Sequence, residues 1–211
     1  MAGPHLIYFA DPMCSWCYGF APVIAAIGRR FGEDLPIRLV LGGLRPGTTA
    51  PMDAPTRASI RTHWQHVHEA SGQPFDDGFF ERTGFVYDTE PACRAVVVLR
   101  REGMARGLAA LHAIQSAFYA ANRDVTQPAT LAAIAADLGA PPEAFLADFA
   151  ADAAWEETQR DFAFSQGAGV SGFPTLIAAT GESENYALAA EGFRPAELLL
   201  PALERWRAAL S

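Results

Sequence analysis

Lysine is absent from this chain of 211 residues, so its 16 basic residues are all arginines. They stand against 24 acidic residues, which gives a formal net charge of −8, and no segment concentrates the positive charge. Proteins that bind nucleic acid draw most of their affinity from basic side chains that neutralise phosphates. This composition therefore argues against nucleic acid as a partner.

A long hydrophobic run is also missing, whereas a helix that crosses a bilayer needs about 20 consecutive apolar residues. Near the start of the chain, the apolar run from Leu6 to Ala10 follows no basic segment and is too short for a secretory signal peptide. We therefore expect a cytoplasmic protein without a membrane partner, in a compartment that keeps thiols reduced.

Cysteine is scarce as well: Cys14 and Cys17 are close in sequence, and the third cysteine, Cys93, is distant. Three cysteines exclude a disulfide-rich scaffold, and a chain of this length with 50% hydrophobic residues can bury a core without crosslinks. In a reducing compartment, a close pair of cysteines is more typical of a catalytic or metal-binding site than of a structural disulfide.

The pattern at the start of the chain predicts a parallel βαβ unit. Residues 5–10 and 35–41 are short apolar runs typical of buried strands, and residues 14–31 between them carry apolar side chains at helical spacing. Two parallel strands joined by a helix form a right-handed crossover. We therefore expect the sheet to be built on this unit.

The middle of the chain, residues 46–166, is predicted to be an inserted helical domain. Residues 42–55 are rich in proline and glycine, which indicates a long surface connection. From residue 56 to residue 166 the pattern is helical almost throughout, with alanine-rich stretches that favour helix.

The end of the chain returns to sheet. Residues 175–179 and 186–190 are predicted strands, and residues 195–210 are predicted to form a closing helix. The expected fold class is α/β, with a small mixed sheet of βαβ and ββα units interrupted by the helical insertion. Residues 1–45 and 167–211 would then form one discontinuous domain.

The segment Cys14-Ser15-Trp16-Cys17 falls at the junction of the first strand and its helix. On a helix, residues three apart approach to about 5–6 Å, which is within reach of a disulfide. Because Cys14 stands at the helix start, unpaired backbone N–H groups and the helix dipole favour its thiolate by up to about 2 kcal/mol. Cys17 is predicted to be the buried resolving thiol. Two unreactive core cysteines, or a zinc site completed by a distant ligand such as Cys93, are the alternatives.

A second candidate element is the segment GVSGFPT at residues 169–175, which places Pro174 at the head of a predicted strand. At that position the missing N–H of proline is tolerated. A trans bond is the usual geometry before proline, and only the combination with the cysteine pair favours a cis bond here.

Together these motifs resemble the thioredoxin superfamily, and the helical insertion resembles its DsbA family. More narrowly, four segments are similar to the FrnE-like branch of cytoplasmic predicted disulfide isomerases: DPMCSWCYGFAP, LGGLRPGT, HWQHV and DTEPACRAVV. The resemblance covers nearly the whole chain. It implies a thioredoxin-like fold with a large, all-helical insertion, as in DsbA.

The resemblance implies roles for the residues of the two motifs. In this family the first cysteine attacks and the second resolves, which assigns these roles to Cys14 and Cys17. The proline is cis and faces the sulfurs, which implicates Pro174. Substrate backbone pairs beside that loop, which implicates Phe173.

The dipeptide between the sulfurs is Ser15-Trp16, whereas the periplasmic oxidants have Pro-His, so a reduction potential does not carry over. Both residues are expected to contact the substrate, with Trp16 covering the site. The sequence indicates no acidic residue that would serve as a proton acceptor beneath Cys17.

The function predicted on these grounds is that of a thiol–disulfide oxidoreductase of the protein disulfide isomerase or reductase type. It would use no cofactor beyond the Cys14–Cys17 pair and would act on disulfide-containing proteins or on small thiols such as glutathione. One alternative is a glutathione-dependent enzyme like 2-hydroxychromene-2-carboxylate isomerase or kappa-class glutathione transferase, which needs no second cysteine. Another is a non-catalytic peptide- or metal-binding module around Trp16.

Several other side chains have a structural and a functional interpretation. Cys93 is predicted to be a buried structural cysteine, with a third redox thiol as the alternative. Arg45 and Arg94 are predicted to lie on the surface, with binding of a glutathione carboxylate as the alternative. Three histidines are predicted to be solvated or partly buried rather than metal ligands: His63, His66 and His68.

Overall fold

The structure is a computed structural model that describes residues 3–181 and 186–210. Its strands are β1 (His5–Ala10), β2 (Ile37–Leu41), β3 (Thr175–Ala179) and β4 (Tyr186–Glu191). Its α-helices are α1 (Ser15–Phe31), α2 (Ala54–Ser71), α3 (Glu90–Arg100), α4 (Met104–Tyr119), α5 (Pro128–Asp137), α6 (Pro142–Ala150), α7 (Asp152–Gly167) and α8 (Ala196–Ala208). Within the described ranges, no helix has both the length and the hydrophobicity that a membrane crossing requires.

The four strands form one mixed sheet in the order β2-β1-β3-β4. β1 runs parallel to β2, while β3 is antiparallel to both β1 and β4. In β1, Leu6 to Ala10 are all buried, which explains a continuous apolar run in place of alternation. The predicted α/β fold with a βαβ unit, a helical insertion and a ββα unit is confirmed, and the two halves of the sheet pair across the insertion.

The helical segment is less continuous than predicted. Between α2 and α3, residues 72–89 contain one 3₁₀ turn, Asp77–Glu81, and are otherwise non-helical. Phe79 and Phe80 of this turn pack against Trp64 of α2, with ring centroids 4.9 and 4.8 Å away. Contacts between aromatic rings therefore stabilise this non-helical segment. A prediction based on hydrophobic periodicity does not detect such contacts.

The predicted surface connection over residues 42–55 is only partly correct. Most of it is exposed, but Gly42 is buried and its N–H donates to the carbonyl oxygen of Ala10 at 2.8 Å. Pro51 forms an isolated antiparallel bridge with Val86. The first residues of this segment therefore continue beyond β2 along the end of β1, next to the cysteine pair.

One contiguous hydrophobic cluster contains residues of the sheet, of α1 and of the inserted helices. A half-buried ion pair also joins the insertion to the sheet, because Arg100 of α3 binds Asp161 of α7 at 2.6 Å. The guanidinium donates to the carbonyl oxygen of Leu39, and the carboxylate accepts the N–H of Leu41. These bonds satisfy backbone groups at the outer edge of β2, which would otherwise lack partners.

Candidate active site

The two close cysteines occupy the turn and first helical residues between β1 and α1. Cys14 precedes α1 in an extended conformation, and its carbonyl oxygen accepts the N–H of Tyr18 at 3.0 Å. Its own N–H donates to the carbonyl oxygen of Asp11 at 3.1 Å, and the Asp11 carboxylate accepts the N–H of Met13 at 2.8 Å. These bonds hold Cys14 at the amino end of α1, where unpaired N–H groups favour an anion.

The two thiols differ in their environment. Cys14 retains 6% of its surface exposed, whereas Cys17 retains 0%, and both are free thiols. Burial raises the pKa of Cys17 well above its ordinary value, and the hydrogen bond and charge of Cys14 raise it further. Cys17 therefore keeps its proton at neutral pH unless a base removes it, while Cys14 borders the surface.

The loop before β3 lies directly against Cys14. The Phe173–Pro174 peptide bond is cis, as the resemblance implies. The Cys14 thiol donates to the carbonyl oxygen of Phe173 at 3.4 Å. The Phe173 ring lies on Gly42, where an added Cβ would come within 2.0 Å of the ring. Glycine at position 42 therefore leaves the space that this ring occupies.

A cleft of about 310 Å³ opens beside Cys14. Its lining includes four of the six predicted site residues: Cys14, Ser15, Trp16 and Phe173. Other lining residues come from three separate segments: Leu44, Arg45, Ile60, His63, Trp64 and Tyr87. Neither Cys17 nor Pro174 contributes to this lining, and both are buried. Most of the lining is apolar, and Arg45 and His63 are its basic groups.

Asp11 is the main residue that sequence reasoning missed. Its carboxylate is fully buried and accepts hydrogen bonds from the N–H of Met13 at 2.8 Å, the N–H of Leu44 at 2.6 Å and the thiol of Cys93 at 3.4 Å, and the Thr89 side chain also hydrogen-bonds to it. The N–H of Asp11 faces the Cys17 sulfur. Asp11 is therefore the buried acidic residue next to Cys17 that the sequence pattern did not identify. The position of Asp11, directly after a buried strand and just before the Cys-x-x-Cys motif, is the sequence feature that could have identified it.

Burial is the dominant influence on the Asp11 side chain. It raises the pKa of this carboxyl group above its ordinary value, while hydrogen bonds from the N–H groups of Leu44 and Met13 act in the opposite direction. The negative charge of Asp11 in turn raises the pKa of Cys17. An acid and a thiol that are buried together and interact electrostatically are suited to exchanging a proton.

Tyr87 is a second residue that the sequence did not single out. Its hydroxyl donates to the carbonyl oxygen of Met13 at 2.7 Å and lies 3.4 Å from the hydroxyl of Tyr119. Burial raises the pKa of Tyr87, so the phenol remains a donor at neutral pH. This bond fixes the turn before Cys14 from the side of the inserted helices.

The remaining candidates are a cysteine, two arginines and three histidines. Cys93 is buried, as predicted, but its thiol contacts Asp11. Arg45 is exposed and lines the cleft, whereas Arg94 is half-buried in an ion pair with Glu90 at 2.9 Å, so its predicted surface position is wrong. The three histidines are exposed, and His63 is the one that lines the cleft. In residues 3–181 and 186–210, no three potential metal ligands are grouped closely enough to hold an ion.

The order of the strands, the cysteine pair at the amino end of the first helix and the cis-proline loop beside it define a thioredoxin-fold thiol–disulfide oxidoreductase. The helices inserted between the halves of the sheet are those of DsbA-like members. The chain belongs to the Thioredoxin family, whose sequence profile matches residues 8–200.

Solved structures with similar folds include two described as disulfide enzymes. One is a "putative protein disulfide isomerase" from Nitrosomonas europaea, with 40% identity and a TM-score of 0.91 over 99% of this chain and 100% of that chain. The other is the cytosolic disulfide reductase DsbM from Pseudomonas aeruginosa, with 25% identity and a TM-score of 0.77 over 98% of this chain and 100% of that chain. A structure of DsbM with GSH has 29% identity and a TM-score of 0.72, over 98% and 96% of the two chains.

Among curated proteins, the ClpXP adapter protein SpxH of Bacillus subtilis is 24% identical over 191 residues. The match covers 90% of this chain and 63% of SpxH, so the chain spans less than two thirds of this relative. The SpxH of Shouchella clausii is similar, with 22% identity over 202 residues and 66% of its length covered.

Proposed function

We propose that this protein reduces or isomerises disulfides of other molecules through the dithiol of Cys14 and Cys17. The observation that carries this proposal is the contrast between the two thiols. Cys14 lines an open cleft at the amino end of α1, whereas Cys17 is fully buried behind it beside a buried acid. Such an arrangement suits one thiol to attack from the surface and the other to resolve from within.

In the first step, the Cys14 thiolate attacks one sulfur of a substrate disulfide. The substrate S–S bond breaks, a Cys14–substrate disulfide forms, and the other substrate sulfur leaves as a thiolate that takes a proton from solvent. The amino end of α1 supports the thiolate before attack. The apolar walls of the cleft, including Trp16 and Leu44, would hold the substrate around the reacting sulfur.

In the second step, Cys17 transfers its proton to the Asp11 carboxylate and attacks the Cys14 sulfur. The bond between Cys14 and the substrate breaks, and the substrate leaves with two more electrons than it brought. The enzyme is left with a Cys14–Cys17 disulfide, which an external thiol reductant must reduce. If a second substrate thiol attacks the mixed disulfide before Cys17 does, the outcome is isomerisation.

The direction of the reaction depends on the reduction potential of the pair. A pair as oxidising as periplasmic DsbA, near about −120 mV, would remain a dithiol at a cytosolic poise of about −240 mV. That gap corresponds to roughly 5.5 kcal/mol for a two-electron couple, which disfavours net oxidation of clients. We place the reaction in the cytoplasm, and the similarity to a cytosolic disulfide reductase supports this placement.

Glutathione is a second candidate substrate, and one observation favours it. The related DsbM has been solved with GSH, and in this chain Arg45 lines the cleft where a glutathione carboxylate would need a cation. A glutathione-dependent isomerase or transferase would use the same cleft without a resolving thiol. The buried pair of Cys17 and Asp11 argues against that alternative, because it has no role in single-thiol chemistry.

Trapping of the mixed disulfide tests the proposal. Cys17→Ser should accumulate a covalent adduct with insulin or with glutathione that mass spectrometry detects, whereas Cys14→Ser should form none. Reduction of insulin driven by dithiothreitol should be lost in both variants. If Cys17→Ser retains the insulin-reducing activity of the wild type, the dithiol mechanism is wrong.

A further inference from the structure

Cys93 belongs to a small network of hydrogen bonds around the Asp11 carboxylate, and the two-step reaction does not use the Cys93 thiol itself. Its thiol donates to Oδ2 of Asp11 at 3.4 Å, and the same oxygen accepts the N–H of Leu44 at 2.6 Å. The N–H of Gly43 faces the Cys93 sulfur. Cys93 thus connects the buried carboxylate to the segment after β2, of which Leu44 and Arg45 line the cleft.

The chemistry of the Cys93 side chain goes beyond that of a small apolar residue. Cys93 is 0% exposed in the first turn of α3, a position that packing alone would also allow an apolar side chain to fill. A thiol adds a hydrogen-bond donor, and this donor points at a fully buried carboxylate. Because a buried carboxylate stays ionised only when it is hydrogen-bonded, each donor to Asp11 affects its protonation.

The other titratable groups around this network come from every element packed against it. Asp11 interacts electrostatically with Cys17 of α1, Tyr119 of α4 and Tyr87 before α3, while Glu90 faces Cys93. Burial raises the pKa values of both thiols and both phenols, so these four groups stay protonated through neutral pH. Glu90 is paired with Arg94. The protonation of Asp11 itself is therefore the change that this network controls.

We propose that Cys93 is a positioning residue for Asp11. Its thiol donates to the carboxylate and favours the ionised, oriented form that can accept the Cys17 proton, and it links this acceptor to the segment that lines the cleft. This inference rests on the proposed function, in which Asp11 takes that proton. Cys93 itself forms no bond with substrate.

The test measures the protonation of Asp11 directly in the full chain. Aspartate labelled with ¹³C at the carboxyl carbon reports each titration by NMR, and the Asp11 signal is the one lost in Asp11→Asn. We expect Cys93→Ala and Cys93→Val to raise the pH midpoint of Asp11 by roughly half to one unit, because both remove the donor. Alanine is smaller than cysteine and valine is larger, so a shift that both share follows from the lost donor.

Cys93→Ser is the conservative variant, since its hydroxyl can still donate to Asp11. It should keep the Asp11 midpoint at or below that of the wild type. A midpoint that is unchanged in Cys93→Ala and Cys93→Val, with only a lower melting temperature, overturns the proposal and leaves Cys93 as a packing residue.

A second measurement separates this inference from the proposed function. The single-turnover rate at which the Cys14–Cys17 disulfide forms should shift along the pH axis by the same amount as the Asp11 midpoint. If the midpoint moves and the rate profile does not, Asp11 is not the proton acceptor, and the positioning role of Cys93 is wrong for that reason. If both move together, and Cys93→Ser restores both, the proposal stands.

Discussion

The thiol of Cys14 lies 3.4 Å from the carbonyl oxygen of Phe173, although 159 positions separate the two residues in sequence. This bond joins the sulfur that would attack in the proposed reaction to the peptide beside which a substrate backbone would pair. Once Cys14 loses its proton or forms a mixed disulfide, the bond is lost and the carbonyl oxygen of Phe173 can accept an N–H of the substrate. Attack at the sulfur and docking of the substrate backbone would therefore support each other.

Replacement of Asp11 by asparagine should slow resolution. We expect Asp11→Asn to lower the rate of Cys14–Cys17 disulfide formation at neutral pH by at least about 10-fold, because a positioned proton acceptor typically contributes more than that. The remaining rate should rise only at alkaline pH, where Cys17 ionises without help. Stopped-flow measurement of a single turnover against pH checks this prediction.

The control for Asp11→Asn is the first step of the reaction. In the Cys17→Ser background, the mixed disulfide should form at a similar rate with Asp11 or with asparagine at position 11. Identical pH profiles for resolution in the wild type and in Asp11→Asn would exclude Asp11 as the acceptor.

Stability should also depend on pH through Asp11. Burial raises the pKa of this group in the folded state, so above about pH 4 the folded chain binds more protons here than the unfolded chain. The contribution of Asp11 to the free energy of unfolding therefore falls as the pH rises from about 4 through the folded-state pKa. Relative to the wild type, Asp11→Asn should gain stability between pH 4.5 and pH 8 in urea unfolding under reducing conditions. A difference independent of pH would contradict this.

Gly42→Ala should disturb the cis-proline loop. The added Cβ would come within 2.0 Å of the Phe173 ring, so the ring must move away from its place beside Cys14. Overpacking of this kind costs about 1–3 kcal/mol of stability, and we expect insulin reduction to fall as well. Thermal unfolding and the insulin assay measure the two effects.

Gly28→Ala is the matched control for Gly42→Ala. Gly28 lies in α1 with no neighbouring atom within 4 Å of an added Cβ, so alanine there should be neutral or stabilising by about 0.5–1 kcal/mol. Equal losses of activity in the two variants would argue against a specific role for the contact between Gly42 and Phe173.

Arg45 should matter more for a small charged substrate than for a protein. We expect Arg45→Ala to raise the KM for glutathione disulfide by about 3- to 10-fold, because a cation at the cleft rim contributes on the order of 1 kcal/mol to a carboxylate. The KM for insulin should change less, since the apolar lining dominates that contact. Arg160→Ala is the control, because Arg160 is exposed in a helical ion pair. Equal effects on both substrates would contradict a carboxylate site at Arg45.

The fold was predictable where one segment carries its own pattern. The apolar run of β1, the helical spacing of α1 and the late strand β3 each indicate which faces of these elements are buried. The spacing of apolar residues within one segment is enough to predict such a face. Residues 72–89 were predicted wrongly because their order comes from aromatic rings packed around Trp64 of α2, which the local pattern does not contain.

The sequence by itself indicated the two cysteines of the proposed redox pair. Cys14 and Cys17 are three residues apart at the start of a helix, so their proximity follows from helix geometry alone. Only the tertiary structure decided which other groups act on them. Asp11 receives its donors from Leu44 and Cys93, which are 33 and 82 positions away in the chain. Folding buries this carboxylate among those partners. In the low-dielectric interior, the electrostatic interaction between Asp11 and Cys17 is stronger than in water, so the protonation of one affects the pKa of the other.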